Sequence, residues 1–247
     1  MQTLTAIATL VTAVAALLTI LEMRWQRTSS YKPDLVVSDS PLVVYRMPDG
    51  GIFPFTFRTD GSRPSKESAS SLFNSLPDVR CINVGVAQAK RVRYRWAFDA
   101  QQFIQQISAI DVDWGTKILV DRDVIRFEHP AIQAMFRIGS STDERLTAVS
   151  PGGITNGTPL QVPFSYLALL SAYLQAAQSH LASTDSWTWS DPVALTLTLD
   201  YRDIGETDHR KQFQVSPHFV AFSHFAEKPA PQDPELVAQG YFQVEEA

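Results

Sequence analysis

The sequence predicts a mainly β domain (α+β) with inserted helices, held behind an N-terminal transmembrane helix. Three observations predict it. Leu4–Leu21 is an apolar run without a charge. From Arg91 to Phe98, basic and apolar side chains alternate strictly. Short runs rich in β-branched residues, punctuated by Gly, Pro, Asn and Asp, recur between Leu35 and Phe225. That spacing predicts an antiparallel β-sandwich with helical insertions near 99–110 and 164–182. The plan is a transmembrane helix with its juxtamembrane segment over 1–27 and a linker over 28–33. The sandwich follows over 34–226, and a Pro-rich acidic tail over 227–247.

A helix rises 1.5 Å per residue, so about 20 residues cross the ~30 Å hydrocarbon core of a bilayer. Glu22, Arg24, Trp25 and Arg27 follow the apolar run as interface residues. A cleaved signal peptide would have basic residues ahead of the run and a small-residue cleavage site behind it, and both are missing. A surface amphipathic helix would have a charged face. A buried core helix remains an alternative, given four threonines in the run, though membrane helices tolerate Thr that bonds back to its own backbone. Arg24, Arg27 and Lys32 lie on the C-terminal flank only. The positive-inside rule therefore predicts a single-pass inner-membrane protein with its C-terminal domain in the cytoplasm. Small residues four apart, Thr5, Thr9 and Ala13 on one line and Ala8, Thr12 and Ala16 on another, permit helix–helix contact and self-association. The abundance of Ala and Thr alone would give the same spacing.

The chain has 247 residues and a formal net charge of -5. That length buries a full core without staples, and the charge makes nucleic acid an unlikely partner. The single cysteine, Cys81, excludes an intrachain disulfide framework and a cysteine-rich zinc site. It sits in an apolar strand pattern as a small core residue.

Along the chain, Lys32-Pro33 forces an extended start. Leu35–Val37 and Leu42–Tyr45 read as strands, and Pro48-Asp49-Gly50-Gly51 as a turn into Ile52–Phe57. Pro54 makes that run an edge strand or a break. Arg58–Ser71 reads as a polar surface loop. Val79–Val86 alternates, and a turn near Gln88-Ala89 leads into the strand Arg91–Phe98. There Val92, Tyr94, Trp96 and Phe98 share one face, and Arg91, Arg93 and Arg95 the other. Asp99 with Gln102 forms a capping pattern for a helix over Ala100–Ile110, lying on the sheet. Lys117–Val120 and Val124–Phe127 form a hairpin around Asp121-Arg122-Asp123, and Ala134–Ile138 is a further strand. Ser140–Thr158 reads as loop. Phe164–Ala182 reads as an amphipathic helix with Leu167, Leu170, Leu174 and Leu181 at helical spacing. Val193–Tyr201 and Lys211–Ser216 form a hairpin, Phe219–Phe225 a last strand, and Glu227–Ala247 a tail without fixed structure.

The segment Asn83-Val84-Gly85-Val86-Ala87-Gln88-Ala89 resembles the N-x-G-x-x-x-A turn of prokaryotic CARDB-type Ig-like β-sandwich domains. The hairpin Leu195–Val215, with Tyr201 before Asp203 and Gly205, is similar to the closing hairpin of such domains. The resemblance implies an Ig-like sandwich with two helices and a hairpin inserted between these parts. It implies an extracytoplasmic setting, against the charge-based topology, and carries over no catalytic or binding residue.

Metal and catalytic motifs are absent from the sequence. The histidines (His129, His180, His209, His218 and His224) show no metal-site spacing. No nucleophile elbow, P-loop or dinucleotide fingerprint is present. Asp200, Asp203, Glu206 and Asp208 gather near a turn without an EF-hand pattern. Asp111 and Asp113 have no second functional group placed beside them. No cofactor is expected.

One polar feature stands out: the basic strand face of Lys90, Arg91, Arg93 and Arg95, with Arg80 on an adjacent strand. It suits anionic lipid headgroups, an acidic protein or a nucleic-acid backbone, or the chain's own Glu235, Glu245 and Glu246. A solvated face whose charges discourage edge pairing is the plain alternative. The leading expectation is a non-catalytic, membrane-anchored binding module that presents an Ig-like domain to a protein or anionic partner. The alternative is an oligomerising membrane effector or pore component, as in bacterial defence, with the soluble domain as sensor. An enzyme of unrecognised type is the third reading.

Overall fold

The structure is a computed structural model. It describes residues 2–48, 53–65, 76–110, 115–129, 133–137, 144–152, 157–183, 190–222 and 233–247, with the side chains of 2–10, 27–30 and 181–183 excluded.

The first element is one continuous helix, α1 (Gln2–Ser30). Residues 11–26 are exposed throughout, Leu17, Leu18 and Ile20 each by about 60%. The Thr19 hydroxyl donates back to the Ala15 carbonyl at 2.9 Å, the arrangement that lets a helix carry Thr without an unmet hydroxyl. Among the described residues no helix is long and apolar enough to cross a membrane. The expected membrane-spanning helix therefore has no support from the fold.

The rest is mainly β and antiparallel. Strands β1 (Leu35–Ser38), β2 (Ser40–Arg46), β3 (Phe55–Arg58), β4 (Asp78–Asn83) and β5 (Ala89–Ala97) precede helix α2 (Ala100–Ala109). Then come β6 (Lys117–Asp121), β7 (Val124–Glu128), β8 (Gln133–Arg137), β9 (Glu144–Val149), β10 (Thr158–Gln161) and helix α3 (Phe164–Ser183). The chain closes with β11 (Leu195–Arg202), β12 (Asp208–Phe222) and β13 (Glu235–Glu246). Seven strands form the main sheet in the order β3-β2-β13-β12-β11-β5-β9, with smaller sheets β1-β4-β10 and β6-β7-β8. β1 runs almost directly into β2, so the chain changes sheet at Asp39, whose carboxylate accepts from the Val244 amide at 2.8 Å. A strand that switches sheets makes a corner of a two-sheet core. Leu35, Val37, Val79 and Cys81 on the small sheet join Leu42, Val92, Leu197 and Phe242 of the main sheet in one buried cluster.

Several expected elements are present. β3 pairs with β2 at the sheet edge and starts just after Pro54, which has no amide to donate. Asp99 caps α2, its carboxylate accepting from the Gln102 amide at 2.8 Å. The β6–β7 and β11–β12 hairpins pair as expected.

Five expectations need correction. First, β4 and β5 are not sheet neighbours: β4 lies between β1 and β10, β5 between β11 and β9. The turn between them carries the chain from one sheet to the other. Second, the tail over 227–247 is not a tail from residue 235 on. β13 lies inside the main sheet, hydrogen-bonded to β12 and β2, so the domain runs to Glu246. Pairing on both edges satisfies its backbone whatever its side chains are. Third, α3 is not amphipathic. It is apolar and buried nearly all round, as a central helix should be. The Tyr166 and Tyr173 hydroxyls donate to the Val193 and Ser190 carbonyls at 2.7 and 2.6 Å. α2 lies against α3, with the Phe103 ring 5.3 Å from Tyr166. Fourth, the segment expected to be loop holds β9. Fifth, Phe219–Phe222 continues β12 rather than starting a new strand. Gly240 of β13 approaches the His218 carbonyl so closely that a Cβ there would collide with it.

The sheet-switching turn is fastened by Asn83, which is 1% exposed. Its amide donates to the carbonyls of Ala87 (2.7 Å) and Val149 (3.0 Å). Its oxygen accepts from the amides of Asp34 (3.1 Å) and Gly85 (3.0 Å). At Gly85 a Cβ would meet the backbone of Lys32 and Asp34. Asn83→Ala would leave buried backbone groups unpaired, at ~1–3 kcal/mol for such a loss. Equilibrium denaturation of the full chain should show a drop of about that size, with Gly85→Ala also destabilising.

Candidate functional site

The alternation of β5 places Val92, Tyr94 and Trp96 in the core and Arg91, Arg93 and Arg95 in solvent. Register then decides what these arginines meet. Arg93 lies opposite Asp200 on β11, and Asp200 lies opposite Arg210 on β12. On its other side Arg93 lies opposite Arg145 of β9. The face thus carries a cross-strand row Arg145–Arg93–Asp200–Arg210. Two like charges sit directly opposite each other, an arrangement that costs stability unless counter-charge is supplied.

Asp200 supplies part of it. Its carboxylate accepts from Arg210 Nε at 2.6 Å and Arg95 Nη2 at 3.3 Å. At the next position the ladder slips between Asp200 and Arg202, and Arg91 adopts φ 49°. Lys90 and Arg91 in succession face away from the core, as in a bulge that re-aims a side chain. Arg91 Nη1 lies 3.7 Å from Glu206 Oε2, and Glu206 is itself at φ 62°. Left-handed backbone costs a non-glycine residue about 1–2 kcal/mol. Arg202 donates to Asp208 from Nε at 2.5 Å and to Glu206 from Nη1 at 3.4 Å. The hydrogen bond and charge of Arg202 hold the Asp208 carboxyl below its usual range.

The β11–β12 turn forms one wall. Tyr201 and His209 stack with ring centroids 5.2 Å apart, and His209 Nε2 is 3.0 Å from Asp203 Oδ2. Asp203 is buried and also accepts from the Thr207 amide at 2.9 Å. Burial pushes its carboxyl up, but the His209 and Thr207 hydrogen bonds outweigh this and hold it below the usual range. The result is an open groove of about 650 Å³ lined by five arginines (91, 93, 95, 202 and 210) against Asp200 and Asp208. It is a positive concavity on a chain of net charge -5.

The expected site residues divide clearly. Arg91, Arg93 and Arg95 come together, and Lys90 sits opposite Arg202 at the bulge. Arg80 does not join them: it lies on β4, paired with Ser38 and Pro159 in the other sheet. Two of the C-terminal glutamates have partners other than these arginines. Glu246 pairs with Lys211 at 3.3 Å, and Glu245 accepts from Gln243. Asp200, Asp203 and Asp208 bind Arg or His partners, and among the described residues no cluster could hold a metal. Cys81 is buried, its thiol pushed up to about 12, so it is core and not a nucleophile. Asp111, Asp113 and His224 lie outside the described residues, as do the side chains of Thr5, Ala8 and Thr9. Thr12, Ala13 and Ala16 are exposed on α1. Arg202, His209 and Arg210 were missed as site residues, although the alternation of β11 and the hairpin turn place them beside Asp200. Arg145 had no signal, because β9 read as loop. No family model matches the chain, and neither curated proteins nor solved structures give a significant match.

The lowered Asp203 pKa fixes a sign. Its stabilisation is fully present above the unfolded-state value of ~3.9 and is lost as pH falls through the lower folded value. Asp203→Asn should therefore lower stability at neutral pH and flatten the acid limb of a stability–pH curve below about pH 4. An acid limb unchanged from the parent chain would contradict this.

Proposed function

We propose that the chain is a non-catalytic binding module whose β5–β11–β12 face meets an anionic partner, and that α1 anchors the module at a membrane. The observation that carries the first half is the row Arg145–Arg93–Asp200–Arg210, with Arg91, Arg95 and Arg202 beside it. Three of the row's four residues are cationic, and its fourth, Asp200, binds Arg95 and Arg210. An anionic partner would meet complementary charge across this cationic surface, which steers encounter and fixes orientation. The arginines stand on paired strands, which hold them in place better than a loop would.

The anchor half rests on the charge-free run Leu4–Leu21 and on the exposure of α1 over 11–26. A long apolar surface left in water is unfavourable by about 25 cal/mol per Å², and a bilayer removes it. Arg24 and Arg27 would then hold the module on the cytoplasmic side. Tethering raises the local concentration of the module at the surface.

The full chain in detergent should be retained on a polyanionic matrix at low salt. The combined variant Arg91→Ala, Arg93→Ala, Arg95→Ala should elute at distinctly lower salt, while equal elution would sink the binding-face reading. Independently, Ala15→Arg with Leu18→Arg should release the chain from the membrane pellet into the supernatant, because each central charge costs ~2.5–3.5 kcal/mol of insertion. Sedimentation unchanged by both charges would refute the anchor.

A further inference from the structure

We propose that the groove on the basic face is a site for a phosphorylated small group, a phosphate monoester or pyrophosphate type of anion. This rests on the anionic-partner reading above and names its ligand chemistry.

Four observations lead there. The first is composition. Among the described residues the groove's cations are arginines, with no lysine in the lining. A planar guanidinium fork matches the oxygens of a phosphate two at a time, whereas an ammonium acts as a point charge. The second is pre-orientation. Arg210 and Arg95 are held by Asp200, and Arg202 by Asp208, so their remaining donors are fixed in direction before a ligand arrives. The third is strain. Among the described residues three non-glycines have positive φ, and two of them, Arg91 and Glu206, sit at this rim and pair with each other. Such outliers cluster at ligand clamps. The fourth is size and surface. A volume of about 650 Å³ lies within the range of small-molecule sites. It suits a phosphorylated sugar or an inositol-sized headgroup.

The same features argue against a nucleic-acid strand. Strand binding uses exposed aromatic platforms for bases. The aromatic rings in this lining, Tyr201 and His209, are stacked on each other, with Tyr201 only 5% exposed.

Calorimetric titration of the full chain in detergent with pyrophosphate and with inositol trisphosphate tests the proposal. Binding of either is expected, with acetate failing to compete. Arg93→Gln should weaken it about tenfold, or ~1.4 kcal/mol. Arg145→Gln provides a second variant, and Arg126→Gln, on β7 of a separate sheet, should change nothing. Circular dichroism checks that each variant is folded. To locate the source, the Ala15→Arg, Leu18→Arg chain is mixed with phosphatidylcholine vesicles with and without a phosphorylated inositol lipid. Capture by the phosphorylated vesicles alone assigns a lipid headgroup. Soluble binding without capture assigns a free phosphorylated molecule. Either result supports the shared chemistry. If neither soluble anion binds, or if both bind Arg93→Gln and Arg145→Gln as well as the parent, the proposal is overturned. In that case, arginine-dependent retention on the polyanionic matrix would leave the broader reading standing, and loss of that retention would remove both.

Discussion

The structure depends on one buried side chain at the point where the chain leaves the small sheet for the large one. Asn83 donates twice and accepts twice, so its amide is fully satisfied out of water. The four partners belong to the start of β1, the turn after β4 and the end of β9. One residue therefore ties both sheets and the outer strand of the main sheet. Gly85 follows because the Lys32–Asp34 backbone passes where a side chain would be. A buried polar group with all its partners specifies one arrangement, since each alternative leaves a donor or acceptor unmet.

This fastening reaches the basic face through β5 and β9. Val149 ends β9, and Ala87 leads into β5. With these fixed, register sets Arg93 against Arg145 on one side and Asp200 on the other. This register cannot slide, because a one-residue slip would turn Val92, Tyr94 and Trp96 into water. The apolar face of β5 thus fixes which charges its polar face sets opposite one another. The bulge at Arg91 adds backbone strain at the same rim.

Behind the main sheet, α3 is the centre of the core. Its buried surface meets α2 through Phe103 and the β6–β8 sheet through Phe164 and Phe136, whose rings lie 4.8 Å apart. The described side chains of α1, residues 11–26, are exposed, and none of them belongs to the buried cluster.

The amino-acid sequence by itself determined what depends on near neighbours. The period-two alternation of β5 and β11, the Asp99 cap of α2 and the β6–β7 and β11–β12 turns are local consequences of side-chain pattern and backbone preference. So were Arg91, Arg93 and Arg95 as one face. Tertiary structure decided which strands became neighbours. It separated β4 from β5, and so Arg80 from the other arginines. It set Arg145 beside Arg93 and brought Arg202 and Arg210 to the groove, and it drew Glu235–Glu246 into the main sheet. These outcomes rest on pairings between distant segments, where backbone hydrogen bonds are the same for any sequence and only packing of the whole core selects among them. α3 shows the same limit. Leucine spacing announced a helix, but only its surroundings in the fold buried it nearly all round.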